Sequence, residues 1–259
     1  MAINRESQTC VWVQKSTLAI NMPTSDFVKF SNAQAKAQNK EHYLYNHIFV
    51  YIKDELPNNI NISSVLDRIE KTIPSFLAQE IDDIFIGQFE DFITRDVNAI
   101  FKDGAIYVTN NQSSEKDLLD DIIHEMAHAV EKQIGFDLYH DGELEKEFIS
   151  KRHQLWRILS EQDKFKHWKA DNGKSLKLFL EPSYSLFFDK LLYKVIKYPL
   201  LQNLTSGLFP SAYSITSLRE YFAIGFEEYY IYNRGERLKT ICPYLYKKLD
   251  MLDDMSHNV

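Results

Sequence analysis

The 259-residue chain is 44% hydrophobic and 14% aromatic, enough apolar surface for one large domain, or a domain with a small extension, that folds by itself. A formal net charge of -7 and a pI near 5.6 argue against a nucleic-acid binder held by overall positive charge. With Cys10 and Cys242 as its two cysteines, the chain has no disulfide framework to rest on, and a reducing compartment is the default.

The N-terminal "MAINRESQTCVWVQKSTLAINM" lacks the charged start, apolar run and small-residue cleavage site of a secretory signal, and no apolar run reaches the length of a membrane span. A soluble, cytoplasmic protein is expected, and chains delivered to another cell or carried by a virion share the same lack of signals. Residues 1–45, which include the polar "NAQAKAQNKE", are set apart as an N-terminal extension. "HIFVYI" (47–52) is rich in β-branched and aromatic residues and stops at the turn-like "DELPNN", which predicts a strand. In "SSVLDRIEKTIPSFL", Val65, Ile69, Ile73 and Phe76 recur at helical spacing behind Ser63 and Ser64 as caps. "DIFIG" and "NAIFKDGAIYVTNN" read as strands, the last two joined by a turn at Asp103-Gly104.

The clearest helix is "SSEKDLLDDIIHEMAHAVEKQIG", capped by Ser113 or Ser114, acidic in its first turns and expected to stop at Gly135. Ile122, Ile123, Met126, Ala127, Ala129 and Val130 make its middle apolar nearly all round, the pattern of a helix inside a domain. Beyond it the chain reads as helical. "DGELEKEFISKRHQLWRIL" places Glu147 and Lys151 on an outer face and Leu144, Phe148, Leu155 and Leu159 on an inner one. An aromatic helix between Pro182 and Pro199, a loop "LLQNLTSGLFPSAYS", the helix "TSLREYFAIGFEEYYIY" and a last helix started or kinked near Pro243 complete the chain.

His124 and His128 stand four residues apart in the buried helix, so both imidazoles can face one point, with Glu125 beside it. This H-E-x-x-H spacing suits a single Zn2+ with an open position, Glu125 taking a proton from the attacking water and returning it to the leaving amine. The bland alternative is a helix holding these residues by composition, but two histidines and a carboxylate in apolar surroundings are costly without a metal or strong hydrogen bonds. A third ligand must come from elsewhere, because Glu131 and Ile134 occupy the positions where the metzincin pattern demands Gly and His.

Glu220 is the preferred candidate, in the first turn of a helix capped by Thr216, with the small Ala223 three residues on to permit close approach. A Ser217–Glu220 capping box competes with that role, since it would engage the carboxylate. Glu227 and Glu228 are the nearer rivals; His140, His153, His167 and Glu181 lie on charged stretches. Asp121, one turn before His124, can orient a ligand histidine, although such an acid is more often merely solvated.

"HEMAH" (124–128) followed by "YSITSLREYFAIGF" (213–226) resembles the lethal-factor-like zinc metallopeptidases, the group of the anthrax toxin lethal factor catalytic domain and the proline-proline endopeptidases, of gluzincin type. Glu220, Phe222, Ala223 and Phe226 match the E-x-F-A-x-x-F helix that supplies that family's third ligand. The resemblance implies an α+β zincin-like fold over residues 46–259, a zinc-dependent endopeptidase acting on a protein or peptide, and Tyr213, seven residues before Glu220, as donor to the oxyanion. A phenol is a neutral donor suited to that role, against the background that most of the 15 tyrosines pack in the core. The separation of 92 residues from His128 to Glu220 exceeds the family's need, which marks a helical insertion around 136–200. "GAIYVT" (104–109) is implied as the sheet edge along which a peptide pairs. Two other classes compete: a catalytically silent zincin-like interaction module, against which the intact Glu125 speaks, and nucleic-acid binding through "KFKHWK" (164–169), which reads as a solvated helix face of an acidic chain.

Overall fold

The computed structural model describes residues 40–256 apart from residue 96. Residues 1–39, with Cys10 and most of "NAQAKAQNKE", lie outside the described residues, and the sheet already begins at residue 41, within the stretch set apart as an extension. The architecture is α+β, a small mixed five-stranded sheet followed by a mostly helical C-terminal part. Among the described residues no helix is long and apolar enough to cross a membrane.

The strands are β1 (Glu41–Leu44), β2 (Ile48–Ile52), β3 (Asp83–Ile86), β4 (Ala99–Lys102) and β5 (Ala105–Val108), in the spatial order β1-β2-β3-β5-β4. β2, β3 and β5 run parallel, in a register that aligns Val50, Ile84 and Ile106, all fully buried. The hairpin partners β1 and β4 are antiparallel to the strands they join. The turn between β4 and β5 has both central residues in the left-handed region, Asp103 at φ 53° and Gly104 at φ 83°, as a type I′ hairpin turn requires.

This order corrects the expected edge. β5 has neighbours on both sides and buries Ala105, Ile106 and Val108, whereas β4 buries none of its four residues. The less apolar strand therefore takes the outside of the hairpin, and the open edge is 99–102 rather than 104–109.

Between β2 and β3, α1 (Ile62–Thr72) buries Ile62, Val65, Leu66 and Ile69. Its cap is Asn61, whose side chain accepts from the Ser63 and Ser64 amides, not either serine. A short α2 (Glu90–Arg95) leads to β4. The central helix α3 (Glu115–Tyr139) is capped by Ser114, and its Leu118–Val130 stretch is buried on nearly every side. It runs past Gly135 to Tyr139, because the backbone kinks at Ile134 (φ -121°, ψ 20°) and then resumes helical bonding.

The helical part comprises α4 (Glu143–Glu161), α5 (Lys174–Leu180), α6 (Leu186–Lys190), α7 (Tyr198–Thr205), α8 (Leu218–Tyr230), α9 (Gly235–Ile241) and α10 (Pro243–Ser256). Pro199 does not close a helix; it opens α7, which occupies the first half of the expected loop. Glu147 and Lys151 do not form a solvated pair either. Lys151 is buried and donates to the carbonyls of Leu208 (3.0 Å) and Ile241. Glu147 accepts from Tyr221 Oη (2.8 Å) and from the Tyr244 and Leu245 amides that open α10. These charges replace missing backbone partners at helix ends, which sequence spacing cannot reveal.

Arg152 is fully buried, donating to the Leu178 and Glu181 carbonyls and stacking on Phe188 at 3.9 Å, a planar-cation contact that ties α4 to the end of α5. In "KFKHWK", Phe165 and Trp168 are buried, and Lys166 and Lys169 pair with Asp163 and Glu161. The aromatic rings there belong to the core and offer no face for a base to stack on.

At Gly225 of α8, an added Cβ would lie 2.5 Å from Leu245 Cδ2 and 2.9 Å from its Cγ and Cδ1. Overpacking of about 1–3 kcal/mol exceeds the gain of about 1 kcal/mol from alanine's helix propensity. Gly225→Ala is therefore expected to lower the urea midpoint, and the loss should largely vanish in a Leu245→Ala background.

Candidate metal centre

The site forms where α3 packs against α8. On α3 the imidazoles of His124 and His128 stand 4.8 Å apart at 89°, both with Nε2 turned toward α8. At the start of α8, Ser217 is the cap, its Oγ accepting from the Glu220 amide at 3.2 Å. Thr216, the expected cap, instead bonds back to the Tyr213 carbonyl at 2.9 Å. Only the backbone half of the capping box forms. The Glu220 carboxylate faces the histidines, with Oε2 3.0 Å from His124 Nε2 and Oε1 3.7 Å from His128 Nε2.

His124, His128 and Glu220 each offer one ligand atom, all within 4.8 Å of one another. Tetrahedral zinc with bonds of about 2.0–2.1 Å sets its ligand atoms about 3.3 Å apart, close to the 3.0 Å from His124 Nε2 to Oε2 and the 3.7 Å from His128 Nε2 to Oε1, the two oxygens of one carboxylate. Glu220 Oε2 is buried and accepts no hydrogen bond. That oxygen lies against His124 Nε2 and its companion Oε1 lies toward His128 Nε2, a buried carboxylate between two imidazoles that fits a cation held among them.

The outer nitrogens are held as well. His124 Nδ1 is 2.6 Å from Glu227 Oε1, so Glu227, considered in the sequence as a rival ligand, instead fixes the His124 ring. Seven residues after Glu220, it lies two turns on along the same face of α8, a spacing visible in the sequence. Asp121 does not take the orienting role; its Oδ2 accepts from Gln112 Nε2 at 2.8 Å, and burial pushes its pKa up. An Nε2 ligand requires the proton of His128 on Nδ1, where Glu131 Oε2 lies 3.7 Å away. Arg219 Nε stands 3.0 Å from that oxygen and 3.1 Å from Nδ1. No sequence pattern points to the Glu131–Arg219 pair, whose members are 88 residues apart.

The electrostatics follow from this packing. Burial alone would lower the His124 pKa, but the carboxylates of Glu220 and Glu227 on its two nitrogens outweigh burial and raise it to about 10. Burial pushes the Glu220 carboxyl upward, and His124, His128 and Arg219 more than reverse that. Glu227, buried beside Asp120 and Glu220, is held above the usual range.

Tyr213 sits in a single 3-10 turn (Tyr213–Ile215) just before α8, its ring 6.5 Å from that of His124 and part exposed. Burial, then the charge of Glu220, raises its pKa, which keeps the phenol neutral and able to donate. Glu125 is buried, and its Oε2 accepts from the Phe101 amide of β4 at 2.6 Å. Lys102 and Ala105 face each other across the tight turn, and Thr109 N donates to Asn98 O at 2.8 Å. The ladder therefore turns the N–H and C=O groups of Ala99 and Phe101 outward, away from β5. The open strand edge and Glu125 thus meet at one place.

No protein-family model matches the chain, and comparisons with curated proteins and with solved structures return no match either. Motifs and geometry alone carry the functional argument.

Zinc titration against a chelator of known affinity is expected to find no tight binding in Glu220→Ala or His124→Ala, and a drop of about 10–100-fold in Glu227→Gln. Full zinc retention by Glu220→Ala would remove it from the ligand set. In chelator-treated protein, protonated His124 contributes stability that is complete below the ordinary histidine pKa of about 6.5 and is lost as pH rises through about 10. Its urea midpoint should fall from pH 7 to 10, and Glu227→Gln should flatten that fall.

Proposed function

We propose that this chain is a zinc-dependent endopeptidase with a zincin-like, lethal-factor-like catalytic domain. The observation that carries this reading is the convergence of His124, His128 and Glu220 on one buried point, with Glu125 and an open strand edge alongside. One zinc ion on these three residues would supply the Lewis acidity that activates a water and polarises a peptide carbonyl.

The protein's own groups do the rest. A peptide laid along β4 hydrogen-bonds to the outward N–H and C=O of Ala99 and to the C=O of Phe101, whose amide Glu125 already holds, which keeps its scissile bond in register with the site. Glu125 takes the proton of the attacking water and returns it to the departing amine. Tyr213 donates to the oxyanion as it develops on the scissile carbonyl, at the α8 side of His124. Glu227 holds the His124 imidazole by its outer nitrogen, and Glu131, kept in place by Arg219, sets a negative charge beside that of His128.

Mapping of new protein termini in a proteome digest is expected to give cuts with wild type that disappear with Glu125→Gln, while the variant keeps its zinc. Tyr213→Phe should retain zinc and lose about 10²–10³-fold in kcat on a peptide so identified, the scale for one oxyanion donor. Equal cleavage by wild type and Glu125→Gln would end the peptidase reading, and wild type that binds a partner without cutting it would favour an interaction module.

A further inference from the structure

A cleft of about 580 Å³ opens beside His128, between the end of β4 and the kinked end of α3. Its charged wall is unusual for a chain of net charge -7: Arg219, Lys102 and Lys132 face Glu131 and Asp103. Glu131 is already engaged, accepting from Tyr139 Oη on Oε1 at 2.5 Å and from Arg219 Nε on Oε2 at 3.0 Å. Arg219 donates through Nε to Glu131 Oε2, and its side chain is 53% exposed. A guanidinium held at Nε keeps its two Nη groups as a planar fork, the geometry that takes a carboxylate with two parallel bonds. Lys102 and Lys132 stand at the rim in exposed pairs with Asp91 (3.6 Å) and Glu80 (3.2 Å), contacts weak enough for either ammonium to turn toward a new anion.

We propose that this cleft is a carboxylate-recognition subsite: Arg219 binds an Asp or Glu side chain, or the terminal carboxylate, of a peptide lying across His128, with Lys102 and Lys132 as its cationic rim. The inference rests on the peptidase reading for its occupant, but the anion site itself follows from the cleft and its charges. Arg219 thereby joins two jobs, since the Nε that steadies Glu131 beside His128 also fixes the direction of the fork.

The test has two arms. In the first, zinc-loaded wild type digests a degenerate peptide library prepared with free and with amidated C-termini. Enrichment of Asp and Glu by about tenfold or more at one internal position in both preparations identifies a side-chain carboxylate; cuts at a fixed distance from a free C-terminus identify the terminal one. Arg219→Gln should remove the preference, and Lys102→Gln/Lys132→Gln, which touches no ligand, should lower it a few fold. Cleavage without such a preference, or a preference unchanged in Arg219→Gln, overturns the proposal.

In the second arm, zinc-loaded Glu125→Gln protein is titrated with N-acetylglutamate amide or N-acetylglutamine amide while the Arg219 Nε–H signal is followed by NMR. A saturable shift of that signal with the glutamate probe alone, weakened a few fold in Lys102→Gln/Lys132→Gln, supports the site even if no peptide is ever cut. In that case only the peptidase reading fails. An unresponsive Arg219, or an equal response to both probes, sinks the carboxylate site whatever the library shows.

Discussion

The organisation of this protein depends on one buried contact, the carboxylate of Glu220 set against the imidazoles of His124 and His128 at the crossing of α3 and α8. Burial of an acid and two bases in an apolar crossing does not favour stability; such groups replaced by packed hydrocarbon would often fold as well or better. The surrounding helices are therefore built to hold an arrangement that packing alone would not select. Leu118, Ile122, Ile123, Met126 and Val130 bury α3, and Tyr221, Phe222, Ala223 and Phe226 bury α8. Each apolar face leaves one polar corner, and the two corners coincide.

The sheet supplies the complementary half. β4 is short and is the least buried strand of its hairpin, so it remains at the edge where its backbone is unpaired on one side. Edge strands invite unwanted pairing unless they are short or covered. Here a buried acid, Glu125, takes the Phe101 amide, which satisfies one exposed donor and brings the acid to the strand. The strand edge and the His124–His128–Glu220 group are adjacent because α3 serves both.

Much of this was legible from the residues. The strands of 47–52, 83–86 and 99–108 and the Asp103-Gly104 turn follow from alternation and from the left-handed preference of their turn residues. The HEMAH pair is a matter of helical spacing within one element, and Glu220 was reachable through its place in the first turn and Ala223 after it, although Ser217 rather than Thr216 caps that helix. What escaped were contacts between elements. Glu227 lies two turns from Glu220 on the same face, yet whether it binds a metal or steadies His124 depends on the offset between two helices. Glu147 and Lys151 read as a surface pair because spacing within α4 cannot show that α10 begins against one and that two helix ends abut the other. Gly135 read as a stop because a glycine at a kink and a glycine at a terminus look alike in sequence. β5 looked like an edge because pairing order is decided by its neighbour β3, not by its own composition.

The path between the two halves of the ligand group has a further consequence. His128 and Glu220 are joined by more than ninety residues, folded into α4 to α7 and anchored by Arg152. Closing a chain loop of about that length costs about 4–5 kcal/mol of conformational entropy, and here hydrophobic packing of the intervening helices meets that cost. A small metallodomain uses its ion to close such a loop, so that it unfolds when stripped. In this chain the loop is closed by carbon against carbon, and an ion that the group could hold would meet residues already brought together.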